Sequence, residues 1–381
     1  MRTLLFTGPG GAGTTTVAAS AAVRAARAGR RTVLLSRQAA PVAGLDAVPG
    51  LRTVRVDAQT ALERFWGEVL GSVGDAMPQL TLPPASSVVP LPGTAELALF
   101  AELAWADADL VVVDAGPVDS ASQLIALPAT LRWWLDQAMP PGMRALAAVR
   151  SAALASGSAR RGPLDAAMDA VPAVEALLAA DRLSPPGSTA ACLVALPRRA
   201  SAATLRTAAT ALALHGLRTA AVLARVSPAD GADEWQARRG TEQDAALTAL
   251  AELGPVHRVP ENAVTPDDVD QLAALLEGFE PAPVPADEPG ALRRDGAWQL
   301  IVGLPFAERG GVGLTRWLDD LVITVGDRRR SLRLDALLRR CEVTGGRLID
   351  PGTPDARLEV GFRPDPQLWP ADLLAAEGRT T

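Results

Sequence analysis

The sequence predicts a doubly wound α/β fold built on a parallel sheet, followed by a small antiparallel β-sandwich. Three observations carry this. A glycine-rich turn joins a short apolar strand to an Ala-rich helix at the start of the chain. Continuous apolar strands then alternate with Ala/Leu-rich helical stretches over about the first 275 residues, as a sheet covered on both faces requires. After a Pro-rich break at 281–290 the apolar period changes to two, which marks short antiparallel strands.

The first unit is βαβ. Residues 2–7 form an apolar strand, 8–13 the turn, and 15–28 a helix that stops at Gly29, a favourable C-terminal glycine. The next strand is 32–36 (TVLLS). A further buried strand at 109–114 (DLVVVD) ends in an aspartate, and 191–196 and 219–223 extend the sheet. Beyond the break, Trp298, Leu300 and Val302 alternate, as do Leu321, Ile323 and Val325, then Leu332 and Leu334, then Leu358, Val360 and Phe362. The domain reading is therefore 1–278 for the α/β domain, 279–293 for a Pro-rich linker, 294–365 for the sandwich and 366–381 for a loosely ordered tail.

Composition narrows the function classes. The 381 residues are 48% hydrophobic and 21% charged, as in a globular protein. A net charge of −6 argues against nucleic acid as a partner. All 37 basic residues are arginine; the chain has no lysine. Cys192 and Cys341 stand alone, which excludes a disulfide framework and a Cys-rich zinc site and fits a reducing cytoplasm. His215 and His257 have no Cys or His nearby and read as surface or loop residues rather than ligands. The N-terminal apolar run is too short for a signal peptide, and no stretch reaches the ~18 apolar residues of a membrane span.

The loop Gly8, Pro9, Gly10, Gly11, Ala12, Gly13, Thr14, Thr15, Thr16 lies between strand and helix, the setting of a phosphate cradle. There, glycines let backbone N–H groups converge on phosphate oxygens at the positive end of a helix. Gly8, Gly13 and Thr15 fit the pattern G-x-x-x-x-G-K-[ST], but the lysine position is Thr14. The Thr15 hydroxyl and the Asp114 carboxylate are placed to hold Mg²⁺.

This stretch resembles the ArsA and tail-anchored-protein targeting ATPases, P-loop NTPases whose loop reads G-K-G-G-V-G-K-T-T. The resemblance implies two lysines: one that reaches a partner subunit's phosphates, here Pro9, and the usual loop lysine, here Thr14. Residues 109–135 are similar to the family's switch II segment. Asp114, Pro117, Leu127, Pro128, Trp133 and Trp134 match it, whereas its Thr, Gly and His positions are Ala115, Asp119 and Ser120. The family's switch I aspartate, which positions the attacking water, is Gln38, and the asparagine that reads adenine is Ala224. The resemblance covers residues 1 to about 275. It implies Mg-ATP or Mg-ADP as cofactor and a homodimer, or a heterodimer with an ArsA-like paralogue.

Phosphoryl transfer depends on positioning and on positive charge beside the developing negative charge. Loss of one preorganised donor costs about 10²–10³ in rate. With Pro9, Thr14 and Gln38 at the chemistry-bearing positions, little or no intrinsic ATP hydrolysis is expected. Arg37 is the nearby cation the sequence offers instead, and its planar head is a poor geometric substitute for a lysine in a tight loop. The three clustered cysteines of an arsenite site and the C-x-x-C zinc site of the targeting homologues are both missing, so neither arsenite nor zinc is expected. Met139, Met143 and Met168, in the region of the family's Met-rich client groove, fit core packing and a client surface equally.

Residues 297–363 resemble the small-heat-shock-protein (α-crystallin-like) domain appended to some ArsA-like proteins, through LIVGLPF, GLTRWLDDLVITVGDRRRSLRL and RCEVTGGRLID with ARLEVGF. Such domains bind strands at exposed edges; a packing or dimerisation module without a client is the other reading. The I-x-I anchor of shell-forming members is missing from the tail, and Arg328, Arg329 and Arg330 read as a solvated hairpin turn that protects an edge, or as a dock for an acidic partner surface. Three functions follow as expectations: a non-catalytic scaffold for a hydrophobic or β-strand client, an ATPase subunit completed by a lysine-bearing paralogue, or a weak homodimeric ATPase that relies on Arg37.

Overall fold

The computed structural model describes residues 2–76, 83–156, 163–228, 233–286, 288–294 and 297–369. In chain order the α/β part runs β1 (Arg2–Gly8), α1 (Thr14–Arg27), β2 (Thr32–Ser36), β3 (Leu51–Arg55), α2 (Ala58–Ala76), α3 (Thr94–Trp105), β4 (Leu110–Pro117), α4 (Val118–Ala138), α5 (Pro141–Ala155) and α6 (Pro163–Ala179). It continues with β5 (Thr189–Ala195), α7 (Arg199–Leu214), β6 (Thr219–Val226), α8 (Glu234–Ala251), β7 (Val256–Pro260) and α9 (Val269–Ala274). The seven strands form a parallel sheet of order β3-β2-β4-β1-β5-β6-β7.

The chain divides into two compact units. The first comprises Met1–Phe6, Thr14–Pro185 and Pro266–Glu277. Within it β2 is paired on both sides, and its five residues are all buried, which explains the unbroken apolar run TVLLS. Helix α1 buries Val17, Val23 and a set of alanines, so small side chains let it lie close to the sheet. It ends where the sequence predicts: Gly29 is left-handed (φ 80°), and the N–H groups of Gly29 and Arg30 donate to the carbonyls of Ala26 and Ala25. On α5, Met143 is exposed together with Leu146 and Val149, which favours a surface role for that methionine over core packing. Met139 is half-buried; the side chain of Met168 lies outside the described residues.

The second unit comprises Thr7–Gly13, Pro186–Thr265 and Gly278–Thr381. Its antiparallel part is made of β8 (Ala291–Arg294), β9 (Ala297–Gly303), β10 (Val312–Trp317), β11 (Asp320–Val325), β12 (Arg328–Arg333), β13 (Cys341–Ile349) and β14 (Arg357–Pro364). They form two sheets of order β10-β11-β12 and β13-β14-β9-β8. The alternating residues read from the sequence meet in one core: Leu300, Val302, Leu321, Ile323, Leu334, Leu358, Val360 and Phe362 are buried, with Trp298, Val325 and Leu332 packed against them. Trp369 also packs on this core. The tail beyond it lies outside the described residues.

Leu214, at the end of α7, belongs to the same core. The Thr210 hydroxyl donates to the carbonyl of Pro305 at 2.6 Å, and the Arg206 guanidinium lies 5.5 Å from the Phe306 ring centroid. The sandwich is therefore fused to α7 by apolar burial and by a buried hydrogen bond. One sequence expectation is corrected. Arg328, Arg329 and Arg330 are strand residues, because the tight turn falls at Gly326 and Asp327, between the paired Val325 and Arg328. Arg330 points inward and donates to the Leu214 carbonyl at 2.7 Å; burial pulls its pKa below the usual value. His215 lies in the turn that follows α7, as a loop residue, and is half-buried. Burial, with Arg330 and Arg328 beside it, pushes its pKa down to about 4.

Candidate functional site

The loop after β1 is held as a turn by the Ala12 N–H, which donates to the Pro9 carbonyl at 3.1 Å. Gly11 and Gly13 are left-handed, at φ 78° and 88°. A Cβ on Gly10 or Gly11 would meet nothing within 4 Å, so this side of the loop stands open. Gly13 is different. A Cβ there would come within 2.8 Å of the Arg225 Nη1, and the backbone angle itself favours glycine. Arg225 sits near the end of β6 and donates to the Ala12 carbonyl at 3.4 Å and to Glu261 at 3.3 Å.

Sequence reasoning missed Arg225. It offered Arg37 as the cation nearest the loop in the chain, but the motif carries no signal that a residue some 210 positions later returns to Gly13. The strand pattern held a clue: Arg225 immediately follows Ala224 at the end of a buried parallel strand, where side chains leave the core. Ala224 itself is fully buried.

The first unit supplies the remaining candidates. Thr14, at the lysine position, is 8% exposed, and its short hydroxyl side chain carries no charge toward the loop. Thr15 and Thr16 follow, both half-buried. The Thr15 hydroxyl donates to Asp114 Oδ2 at 2.7 Å, and the Ser36 hydroxyl donates to the same oxygen at 2.8 Å. The other oxygen, Oδ1, accepts from the Gly116 N–H at 3.2 Å. Asp114 is 2% exposed, so these donors replace the water that its carboxylate gives up.

The network extends to the switch I position. The Gln38 N–H donates to the Ser36 hydroxyl at 3.0 Å, while the Gln38 residue is exposed and neutral. Arg37 turns away into an ion pair with the buried Glu96 on α3, at 2.6 Å, and lies 3.4 Å from the Ser120 hydroxyl on α4. Thus Ser36, the last residue of β2, contacts the β4 aspartate, and Arg37 after it contacts α3 and α4. A carboxylate and a hydroxyl 2.7 Å apart are hard oxygen donors of the kind Mg²⁺ takes, so the residues present fit that ion.

Residues 1–253 match the ArsA family model, described as anion-transporting ATPase, and residues 295–362 match the HSP20-like domain found in ArsA. The uncharacterized protein SCO2128 of Streptomyces coelicolor is 36% identical over 394 residues, spanning 97% of this chain and 99% of that relative. Protein Rv2184c of Mycobacterium tuberculosis is 30% identical over 428 residues, spanning 97% of each. The arsenical pump-driving ATPase of Escherichia coli is 25% identical over 154 residues, covering 35% of this chain and 26% of the pump protein. Among the described residues no helix is long and apolar enough to cross a membrane. Loop, β4 aspartate, parallel sheet and appended sandwich agree with these matches: the chain belongs to the ArsA family of anion-transporting ATPases and carries that family's HSP20-like domain.

Proposed function

We propose that this chain is an ArsA-type protein that hydrolyses ATP very weakly or not at all and serves as a scaffold for a partner or client. The observation that carries the reading is Thr14, a buried hydroxyl residue, at the loop position where phosphoryl transfer calls for a fixed cation. Pro9 and Gln38 remove the second cation and the water-orienting carboxylate. The site residues of this reading are Gly8, Gly10, Gly11, Ala12, Gly13, Thr14, Thr15 and Thr16 for phosphate. Thr15 and Asp114 would hold the Mg²⁺ of Mg-ATP or Mg-ADP, which would supply positive charge to the phosphate oxygens.

The client would be hydrophobic or a β-strand, met by the exposed face of α5 or by a free edge of the sandwich. The protein would work in the cytoplasm as a dimer, with an α/β domain at 1–278, a linker at 279–293 and the sandwich at 294–365. Retention of the bond from Thr15 to Asp114 favours a second reading, in which an intact paralogue lends its lysine across a dimer interface. Phosphate release from Mg-ATP, measured for the chain alone and then mixed with a lysine-bearing paralogue, tests both. Silence in each case supports the scaffold. Release that requires both chains, and falls when the Thr15 hydroxyl is removed, supports the shared site; release by the chain alone overturns both.

A further inference from the structure

Arg225 is a cation of the second unit that lies against the phosphate loop, and nothing in the family motifs points to it. Its guanidinium lies against Gly13: a Cβ added there would be 2.8 Å from Nη1, 3.1 Å from Cδ and 3.4 Å from Cζ. The residue is anchored at both ends of its reach. The backbone of Arg225 is fixed in β6, paired with Val259 of β7. Its Nη1 donates to the Ala12 carbonyl at 3.4 Å and its Nη2 to Glu261 Oε1 at 3.3 Å. Glu261 is also committed elsewhere, because its Oε2 accepts from the Ser227 hydroxyl at 2.5 Å.

Both guanidinium bonds are long. An arginine has five N–H donors in a planar fork, and two bonds beyond 3.2 Å leave most of that capacity unspent. The side chain is 28% exposed, so it is partly dehydrated yet reachable. Guanidinium groups so placed match the paired oxygens of phosphates bidentately. We propose that Arg225 takes over the charge role of the missing loop lysine for binding, and that the ligand class is a diphosphate: the diphosphate of a nucleotide, or free pyrophosphate. Fixed beside Ala12 and Gly13, it compensates ground-state charge. This rests on the phosphate-loop reading above, but not on the absence of hydrolysis.

The test uses the full chain and calorimetric titration with Mg-ADP and, separately, magnesium pyrophosphate. Wild type is expected to bind at least one, and Arg225→Ala to weaken that binding about 10- to 100-fold, the range for loss of a charge-assisted hydrogen-bonding group. Arg225→Lys is expected to recover part of the affinity, and Arg225→Gln, which keeps a polar side chain without the charge, to resemble Arg225→Ala. The wild-type affinity should also fall with added salt more steeply than that of Arg225→Ala. Binding of both ligands with equal strength identifies the diphosphate as the recognised group, whereas binding of ADP alone shows that the nucleoside is needed too; each supports the assignment if Arg225→Ala weakens it. An unchanged affinity in a folded Arg225→Ala or Arg225→Gln variant overturns it, as does wild type that binds neither ligand. Phosphate release from ATP by wild type would instead contradict the proposal of lost hydrolysis, and leaves the Arg225 assignment standing.

Discussion

Arg37 donates a 2.6 Å hydrogen bond to Glu96, whose side chain is only 9% exposed. The arginine that follows β2 is therefore committed to a structural ion pair, which removes it as a free substitute for a loop lysine. Removing one member leaves a carboxylate largely out of water without its counter-ion. Because Arg37 itself is partly exposed, solvent screening reduces the cost. Arg37→Ala should lower unfolding stability by about 1–3 kcal/mol in denaturant titration. The double change with Glu96→Gln should restore part of that loss. A single variant as stable as wild type would show that the pair contributes nothing.

Thr15 and Asp114 make a second prediction. Thr15→Val keeps the shape of the side chain but removes the donor at 2.7 Å, so stability should fall by about 0.5–1.5 kcal/mol. In the wild type, ADP should raise the melting temperature more with Mg²⁺ than without. In Thr15→Val that difference should vanish. An unaltered Mg²⁺ dependence would remove the hydroxyl from the proposed metal pair.

His215 gives a pH dependence. Burial, with the charges of Arg330 and Arg328, lowers its pKa from 6.5 to about 4. Between those values the unfolded chain binds a proton that the folded chain does not. Stability from this residue is thus present above about pH 6.5 and is lost as the pH falls toward 4. Denaturation midpoints at pH 7 and pH 5 should differ less in His215→Gln than in wild type. An equal difference would mean that another group sets the slope.

Leu214 joins α7 to the sandwich core, fully buried among Val302, Leu321 and Leu358. Leu214→Ala should cost about 2–5 kcal/mol by urea unfolding. A cost below about 1 kcal/mol would show that α7 merely lies beside the sandwich.

The sequence carried the fold well because its signals were local. Strand 32–36, the stop at Gly29 and the inward set from Leu300 to Phe362 depend on period and on one glycine, and the structure has them in place. The loop and Asp114 were legible for the same reason, as motif spacing. Arg225 was not, because its approach to Gly13 is set by the order of strands in the sheet. Arg330 was misread for a related reason: three arginines in a row look solvated until the register at Val325 and Arg328 decides which of them faces α7. The same fold-dependent packing half-buries His215 in the turn after α7.

With Thr14 in place of the loop lysine, the proposed protein does not cleave ATP. A single-turnover assay tests this most directly: purified full chain in excess over ATP labelled in the terminal phosphate, with Mg²⁺ and without any partner. After an hour the label should remain in ATP, as in a protein-free control. Labelled inorganic phosphate appearing within minutes, and absent when Mg²⁺ is chelated, would contradict it.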